Sequence, residues 1–397
     1  MIHRISIENF FSVADRQDID FEVPANSPDL PCFRASPSNP RRRLPLIIGL
    51  YGPNASGKST ILRAITTTGW FVQHSFTIAP HDAIPLFNPY AQKDWWGKPS
   101  KIALEFDIKV SPDSPSVLFR YELHVGNDPH KFGREVHYES FFYAPKGKFR
   151  RIFERHGQQF QFGAEFGIAA GDSRVQSIRP NASVVSTLAQ LNHKMSGDFI
   201  RWLVGLQTNI HGLDKTQGTI AYALNYYAQH PEYLTGLNRE LSRLDLGLQE
   251  MKILPGNPGP IALFKHFGLD CDIVLAQESM GTRRFIEIFP QIQFVLDRGG
   301  IAVIDELDTD IHPHIIPEIF RWFYDEKRNL HGAQLFFTAH NPAILDELEK
   351  EQAFFTEKTS GRPTRIYGAG EIKGLRREPS LMKKYLSGEL GAVPHIG

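Results

Sequence analysis

Cysteine is almost absent from this chain: 397 residues carry two, Cys32 and Cys271. Two cysteines so far apart predict free thiols rather than a disulfide framework, and with them a reducing, cytoplasmic setting. Net charge is absent too, since Lys plus Arg and Asp plus Glu each number 44. The whole molecule therefore offers a phosphate backbone no long-range attraction, and any nucleic-acid surface has to be local. No apolar run approaches the roughly 20 residues of a membrane helix, which predicts no membrane partner. Ile2 to Asn9 alternates apolar and polar residues like a strand and lacks the apolar centre of a signal peptide. Sustained heptads, internal repeats and low-complexity tracts are missing as well, which argues against a long coiled-coil arm. No Cys/His spacing suggests zinc.

What remains is a chain too long for one hydrophobic core, so two lobes are expected. Residues 1–100 read as strands Ile2 to Asn9 and Ile19 to Val23, a loop, an apolar strand Leu44 to Leu50, a Gly-rich turn and a helix from Lys58. The triplet Arg41-Arg42-Arg43 reads as a solvated loop rather than a nucleic-acid contact. Residues 101–180 alternate like an antiparallel sheet inserted after the first helix, closing with a loop or weak hairpin from His156 to Pro180. Residues 181–265 turn helical, with Leu237, Leu241, Leu244 and Leu248 at spacings of three and four. In 266–397 the α/β character returns: a striped helix that Pro290 should kink, then strands Ile301 to Ile304 and Leu335 to Thr338. The carboxy-terminal segment ends in apolar Val393, Pro394 and Ile396, which with the helical lobe offers surface for a partner.

The Gly-rich turn is Gly52-Pro53-Asn54-Ala55-Ser56-Gly57-Lys58-Ser59-Thr60, a P-loop pattern placed between an apolar strand and a helix. Its glycines let the backbone curl so that successive N–H groups and the helix N-terminus point at a phosphate. Lys58 is expected on the β- and γ-phosphates of ATP and the Ser59 hydroxyl on Mg²⁺. A second constellation ends the strand Ile301 to Ile304 in Asp305 and Glu306, at the edge where α/β sheets bind ligands. Asp305 is expected to hold the Mg²⁺ shell and Glu306 to act as general base on the attacking water. Glu278-Ser279-Met280-Gly281-Thr282 forms a turn with free N–H groups at the start of the striped helix. Gln334 to Ala339 delivers His340, a hydrogen-bond donor for a γ-phosphate oxygen.

In this order the motifs resemble ABC-type ATPases. The resemblance extends to the stand-alone SMC-like ATP-binding proteins of bacterial anti-phage and abortive-infection loci, AAA ATPases of class fifteen. It covers nearly the whole chain, through Ile7 to Phe10, Gly52 to Thr60, Arg179-Pro180-Asn181, Glu278 to Thr282, Asp305 to Pro313, Gln334 to His340, Lys384 to Gly388 and Gly391 to Pro394. It implies an α/β fold: an ABC-type P-loop ATPase head with an inserted antiparallel β-sheet and a helical lobe. It also implies an ATP-dependent dimer or higher homo-oligomer, in which Ser279 and Gly281 of one subunit cap the γ-phosphate held by the other. A D-loop falls at Asp308 to His312, and a Q-loop glutamine reaching the metal is assigned to Gln190. The turn departs from the Leu-Ser-Gly-Gly-Gln of transporters. The implied role is a regulatory ATPase that answers a phage-derived trigger and controls a separately encoded toxin or nuclease. Three rivals stand beside it: a DNA-repair ATPase clamping DNA, a non-hydrolysing ATP-gated scaffold, and a self-contained nuclease. The 57 residues after His340 (397 minus 340) are expected to be too few for the nuclease's own domain.

Overall fold

A computed structural model describes every residue except 110–113, 128–133, 170, 211–218, 245–246, 360, 376–379 and 394–397. Pro394 and Ile396 lie outside the described residues. The chain opens with β1 (Ile2–Glu8) and β2 (Gln17–Asp20), then the hairpin of β3 (Phe33–Ser36) and β4 (Asn39–Pro45). β5 (Ile47–Tyr51), buried at all its positions, runs into the P-loop and α1 (Lys58–His74). The short α2 (Lys93–Trp96) precedes β6 (Ser100–Lys109), β7 (Ser116–Asn127), β8 (Arg134–Ala144), β9 (Arg150–His156) and β10 (Gln159–Phe162). Next come α3 (Val184–Gln190), α4 (Lys194–Leu203), β11 (Leu206–Thr208), α5 (Ile220–Gln229) and α6 (Pro231–Arg243). A small sheet of β12 (Leu248–Leu254), β13 (Ile261–His266) and β14 (Ile273–Val274) leads to α7 (Met280–Arg298). The last elements are β15 (Ile301–Ile304), α8 (Ile315–Tyr324), β16 (Gln334–Thr338), β17 (Ala353–Glu357), β18 (Arg365–Gly368) and α9 (Leu381–Leu386).

Two large sheets carry the architecture. One has the order β11-β15-β16-β5-β17-β18, parallel except for β18, and the other is the antiparallel β10-β9-β8-β7-β6-β1-β2. Helix α1 packs against strands of both sheets, which explains its broad buried face. The loops after β5, β15 and β16 emerge at the carboxyl edge of the parallel sheet, and there the P-loop, Asp305-Glu306 and His340 meet.

Several expectations are corrected. The antiparallel sheet is not confined to 101–180, because β1 pairs with β6 from Ile2 opposite Phe106 to Glu8 opposite Lys101. Leu44 to Leu50 is two strands that break at Leu46, whose N–H turns to the Cys32 carbonyl at 2.9 Å. Arg41 to Arg43 belong to β4 rather than a loop. Arg42 pairs with Glu22, and Arg43 donates to the carbonyls of Ser27 (2.6 Å) and Pro28 (2.8 Å), so this basic triplet is largely occupied internally. Within 181–265, β11 joins the parallel sheet, and Leu248 opens β12 instead of closing a helical stripe. The weak hairpin expected between His156 and Pro180 does form, β10 pairing with β9.

Pro290 does not interrupt α7. A proline leaves the carbonyl four residues earlier without its helical N–H, and that carbonyl, Ile286, accepts the Tyr227 hydroxyl at 3.0 Å. Tyr227 thus supplies from α5 the donor that proline withdraws.

The antiparallel sheet is joined to α3 through a buried ion pair. Arg155 and Glu139 are fully buried and 3.3 Å apart. Glu139 also accepts the Tyr121 hydroxyl (2.8 Å), the Ser183 hydroxyl (2.7 Å) and the Val184 N–H (3.0 Å), the last at the N-terminus of α3. Arg155 donates to the carbonyls of Ala182 (2.6 Å), Arg179 (2.9 Å) and Gly157 (2.7 Å). Removing one partner leaves an uncompensated buried charge, so Glu139→Ala is expected to cost about 3–5 kcal/mol of stability. Chemical denaturation measures this, and a loss under about 1 kcal/mol would show that the pair does not tie the sheet to the helix.

Candidate functional site

The P-loop adopts its curl through left-handed backbone at Gly52 (φ 152°), Ala55 (φ 61°) and Gly57 (φ 106°). The two glycines also have no room for a side chain. A Cβ on Gly52 would lie 2.3 Å from the Thr356 carbonyl oxygen, and one on Gly57 2.5 Å from both the Ser12 and Thr364 hydroxyls. Among the described residues nothing accepts the N–H groups of Gly57, Lys58 or Ser59. They point from the first turn of α1, the geometry that binds anions. Lys58 donates to the carbonyls of Gly52 (2.8 Å) and Pro53 (3.2 Å). Burial pulls its pKa down, while Asp305, Glu306 and Asp308 pull it back up.

The Asp305 carboxylate is the centre of the opposite wall. Its Oδ1 accepts the Ser59 hydroxyl at 3.0 Å and the Thr338 hydroxyl at 2.6 Å. Thr338 Oγ1 in turn accepts the Glu306 N–H at 2.7 Å. Asn209 brackets Asp305 from the other side, accepting its N–H (2.7 Å) and donating to its carbonyl (2.8 Å). Arg284, on the second turn of α7, reaches the carbonyls of Asp305 (3.2 Å) and Glu306 (3.4 Å). Glu306 sits at φ 53°, a conformation that non-glycine residues adopt at a cost. Its exposed carboxylate lies 3.5 Å from His340 Nε2 and accepts the Thr309 hydroxyl at 3.3 Å. Asp308 accepts the N–H groups of His340 (2.8 Å) and Asn341 (2.6 Å), fixing the loop that carries the histidine.

These groups line one open cleft of about 880 Å³. Its wall includes Asn54 to Thr60, Asp305, Glu306, Thr338 and His340, together with Phe11, Asn88 to Ala91, Arg63 and Lys358. Gly52 and Pro53 lie behind the loop as partners of Lys58. Besides Gly52 and Pro53, three residues singled out in the sequence are not in the wall. Gln190 ends α3 in an exposed position away from the cleft, and its assignment as a metal ligand is withdrawn. Ser279 caps α7, accepting the Thr282 N–H at 3.0 Å, and Gly281 packs beside the Asp310 carbonyl. Thr338, Asn209, Arg284, Thr356, Thr364 and Lys358 escaped the sequence reading. Of these only Thr338 left a signal, a hydroxyl inside the otherwise apolar run Leu335 to Ala339.

Residues 47–346, well over half of the chain, match the family described as "AAA domain, putative AbiEii toxin, Type IV TA system". This chain belongs to that AAA-domain family. A second AAA-domain family matches residues 4–70. The AAA-domain protein has an α/β fold in which a mainly parallel sheet carries the P-loop beside a large antiparallel sheet. No curated protein matches its sequence. Among solved structures it is similar to an Smc head bound to the C-winged helix domain of ScpA, at 13% identity and TM-score 0.49, over 96% of this chain and 99% of that one. It is also similar to the SMC head domain from Thermotoga maritima, at 14% identity and TM-score 0.44, over 92% of this chain and 98% of that one. A third likeness is an Smc head with an extended coiled coil bound to the C-terminal domain of ScpA derived from Pyrococcus furiosus, at 12% identity and TM-score 0.44, over 98% of each chain. No helix among the described residues is long and apolar enough to cross a membrane.

Magnesium fits the residues present in the AAA-domain protein. Ser59 Oγ and Asp305 Oδ1 are hard oxygen donors that meet at the mouth of the P-loop, and they are the residues that would hold the ion. Bound there, Mg²⁺ would neutralise charge on nucleotide phosphates. Thr338→Val keeps the side-chain shape but leaves the Glu306 N–H unpaired and frees one side of Asp305. Nucleotide affinity is expected to stay within a few-fold while phosphate release falls about tenfold or more. Turnover within twofold of the parent would exclude Thr338 from aligning the two acids.

Proposed function

We propose that this protein binds Mg·ATP in the cleft, closes into a dimer around it and hydrolyses it, acting in the cytoplasm as the regulatory ATPase of an anti-phage system. The observation that carries the reading is the convergence of Ser59, Asp305, Thr338, Glu306 and His340 on the rim of a P-loop whose Gly57, Lys58 and Ser59 N–H groups have no acceptor among the described residues. Each group then has a task. The N–H groups and Lys58 would bind the phosphates, the Lys58 ammonium exchanging its two carbonyl partners for phosphate oxygens. Glu306, exposed and beyond the metal-holding pair, would accept the proton of the attacking water. His340, held in place by Asp308, would donate to the γ-phosphate and keep Glu306 oriented.

The second half of the site is supplied in trans on this reading. Ser279 and Gly281 lie outside the chain's own cleft, while the turn between them exposes Met280 at 61%. Such a turn would cover the γ-phosphate of a partner copy, so ATP would favour the closed dimer and its hydrolysis the open one. Control of a separately encoded toxin or nuclease by this timer, in answer to a phage-derived trigger, is the role that the motif resemblance implies, and the family's description, "putative AbiEii toxin, Type IV TA system", is in keeping with it.

Glu306→Gln preserves shape and loses the base. It is expected to bind ATP as the parent does and to release phosphate at least about 100-fold more slowly in multiple turnover. Near-parental turnover would remove Glu306 from the mechanism. In that background Met280→Glu places a carboxylate opposite the partner's phosphates without disturbing the close contact between Gly281 and the Asp310 carbonyl. Binding to the chain's own P-loop should persist while ATP-dependent association disappears in sedimentation. A dimer that survives this change would leave the turn with no role beyond capping α7.

A further inference from the structure

The geometry points to Lys358, in the loop after β17, as a residue that binds the nucleotide's phosphates; this rests on the ATP reading above and deepens it. The cations lining the cleft are Lys58, Arg63 and Lys358, set against the carboxylates Asp305 and Glu306. Three positive and two negative side chains leave the wall with one net positive charge, and without Lys358 the balance is zero. Two of the three cations are already engaged. Lys58 donates to Gly52 and Pro53, and Arg63 lies over the Phe11 ring at 5.1 Å. Lys358 is exposed and makes no hydrogen bond or ion pair with any described residue.

Its place is set by the strands that flank it. Two residues before it, the buried Thr356 joins its hydroxyl to that of Ser56 at 2.6 Å. At the other end of the loop, the buried Thr364 donates its hydroxyl to the Ser56 carbonyl at 2.7 Å and its N–H to the Ser12 carbonyl at 2.8 Å. The β17–β18 hairpin is thereby fastened to the P-loop itself, and Lys358 extends from it over the same cleft. An ammonium is a compact point charge on a flexible stem, suited to phosphate oxygens rather than to a planar base. An anchored root with a free charged tip lets it follow the triphosphate as the nucleotide enters.

The test is a fluorescence titration of the full-length protein with mant-ATP and Mg²⁺, at low and moderate salt, for Lys358→Ala, Lys358→Glu and Lys358→Arg. One lost charge contact near the surface is expected to weaken binding about tenfold in Lys358→Ala, and more in Lys358→Glu. Lys358→Arg should stay within about threefold, and the alanine variant should show a shallower salt dependence than the parent. Alanine and glutamate variants that bind within twofold of the parent overturn the contact, as does an arginine variant that folds yet binds as weakly as alanine. Lys58→Ala separates the two levels of inference. If the parent binds and Lys58→Ala does not, the ATP reading stands whatever Lys358 does. If the folded parent does not bind ATP at all, that reading fails and this contact with it.

Discussion

A phosphate-binding loop has to keep its N–H groups unspent, so whatever holds it in shape must grip it elsewhere. In this chain every clamp on the loop from other elements reaches a carbonyl or a side chain. The hydroxyls of Thr356 and Thr364 take the Ser56 hydroxyl and carbonyl, and Ser12 meets the Thr60 hydroxyl at 2.9 Å. Even Lys58 rests on carbonyls. The clamps come from the turn after β1 and from the β17–β18 hairpin, on either side of β5 in sequence and far from it. That requirement fits a turn after β1 and a last hairpin that both return to the P-loop. It also accounts for the strained turn at Asn9 and Phe11, with φ of 51° and 50°: the turn must present Ser12 against Gly57, where no side chain fits.

The same logic governs the acidic wall. On the proposed reading Asp305 and Glu306 are neighbours with different tasks, and the backbone separates them by turning left-handed at Glu306. A turn of that kind persists only where its surroundings hold it. Thr338 accepts the Glu306 N–H, while Asn209 and Arg284 take the carbonyls on either side of it. Asp305 is thereby aimed inward at Ser59 and Glu306 outward toward His340. Polar atoms buried in apolar strands are costly unless paired, and here the pairs are the devices that divide the labour of the two acids.

What was legible in the sequence was whatever local chemistry forces. A Gly-rich turn with Lys58-Ser59 between an apolar strand and a helix has one physical purpose, and an all-apolar strand that ends in Asp305-Glu306 has few. What was not legible depended on partners remote in the chain. The pairing of β1 with β6 across about 100 residues leaves no trace in either strand's alternation. Pro290 gives no sign in the sequence of Tyr227, which takes the carbonyl it frees and leaves α7 continuous. Leu248 keeps helical spacing with Leu244 but opens a strand, since a single apolar residue satisfies both periods. Gln190 was placed by analogy of position, and nothing local distinguishes a glutamine that faces a metal from one at an exposed helix end. Lys358 was invisible for the opposite reason: its importance lies in having no partner within the described chain.

One consequence joins the acidic wall to the turn at Ser279. Arg284 lies a single helical turn beyond Gly281 and grips the carbonyls of Asp305 and Glu306 from α7. Gly281 itself packs against the Asp310 carbonyl so closely that a Cβ would come within 2.5 Å. The N-terminus of α7 is therefore bonded through Arg284 to the loop that carries Glu306, Asp308 and Asp310 and lies in close contact with it at Gly281, and Asp308 passes the connection on to His340. On the dimer reading, a partner's nucleotide pressing on the turn would displace α7 along its axis. The helix is continuous through Pro290, where the Tyr227 hydroxyl occupies the freed Ile286 carbonyl. On that reading the displacement would be felt at the Arg284 hydrogen bonds and the Gly281–Asp310 contact, beside the residues that would activate and orient the water. Engagement of the turn by one subunit's ATP and alignment of the other subunit's own base are then a single mechanical event, which is what a hydrolytic timer shared between two sites requires.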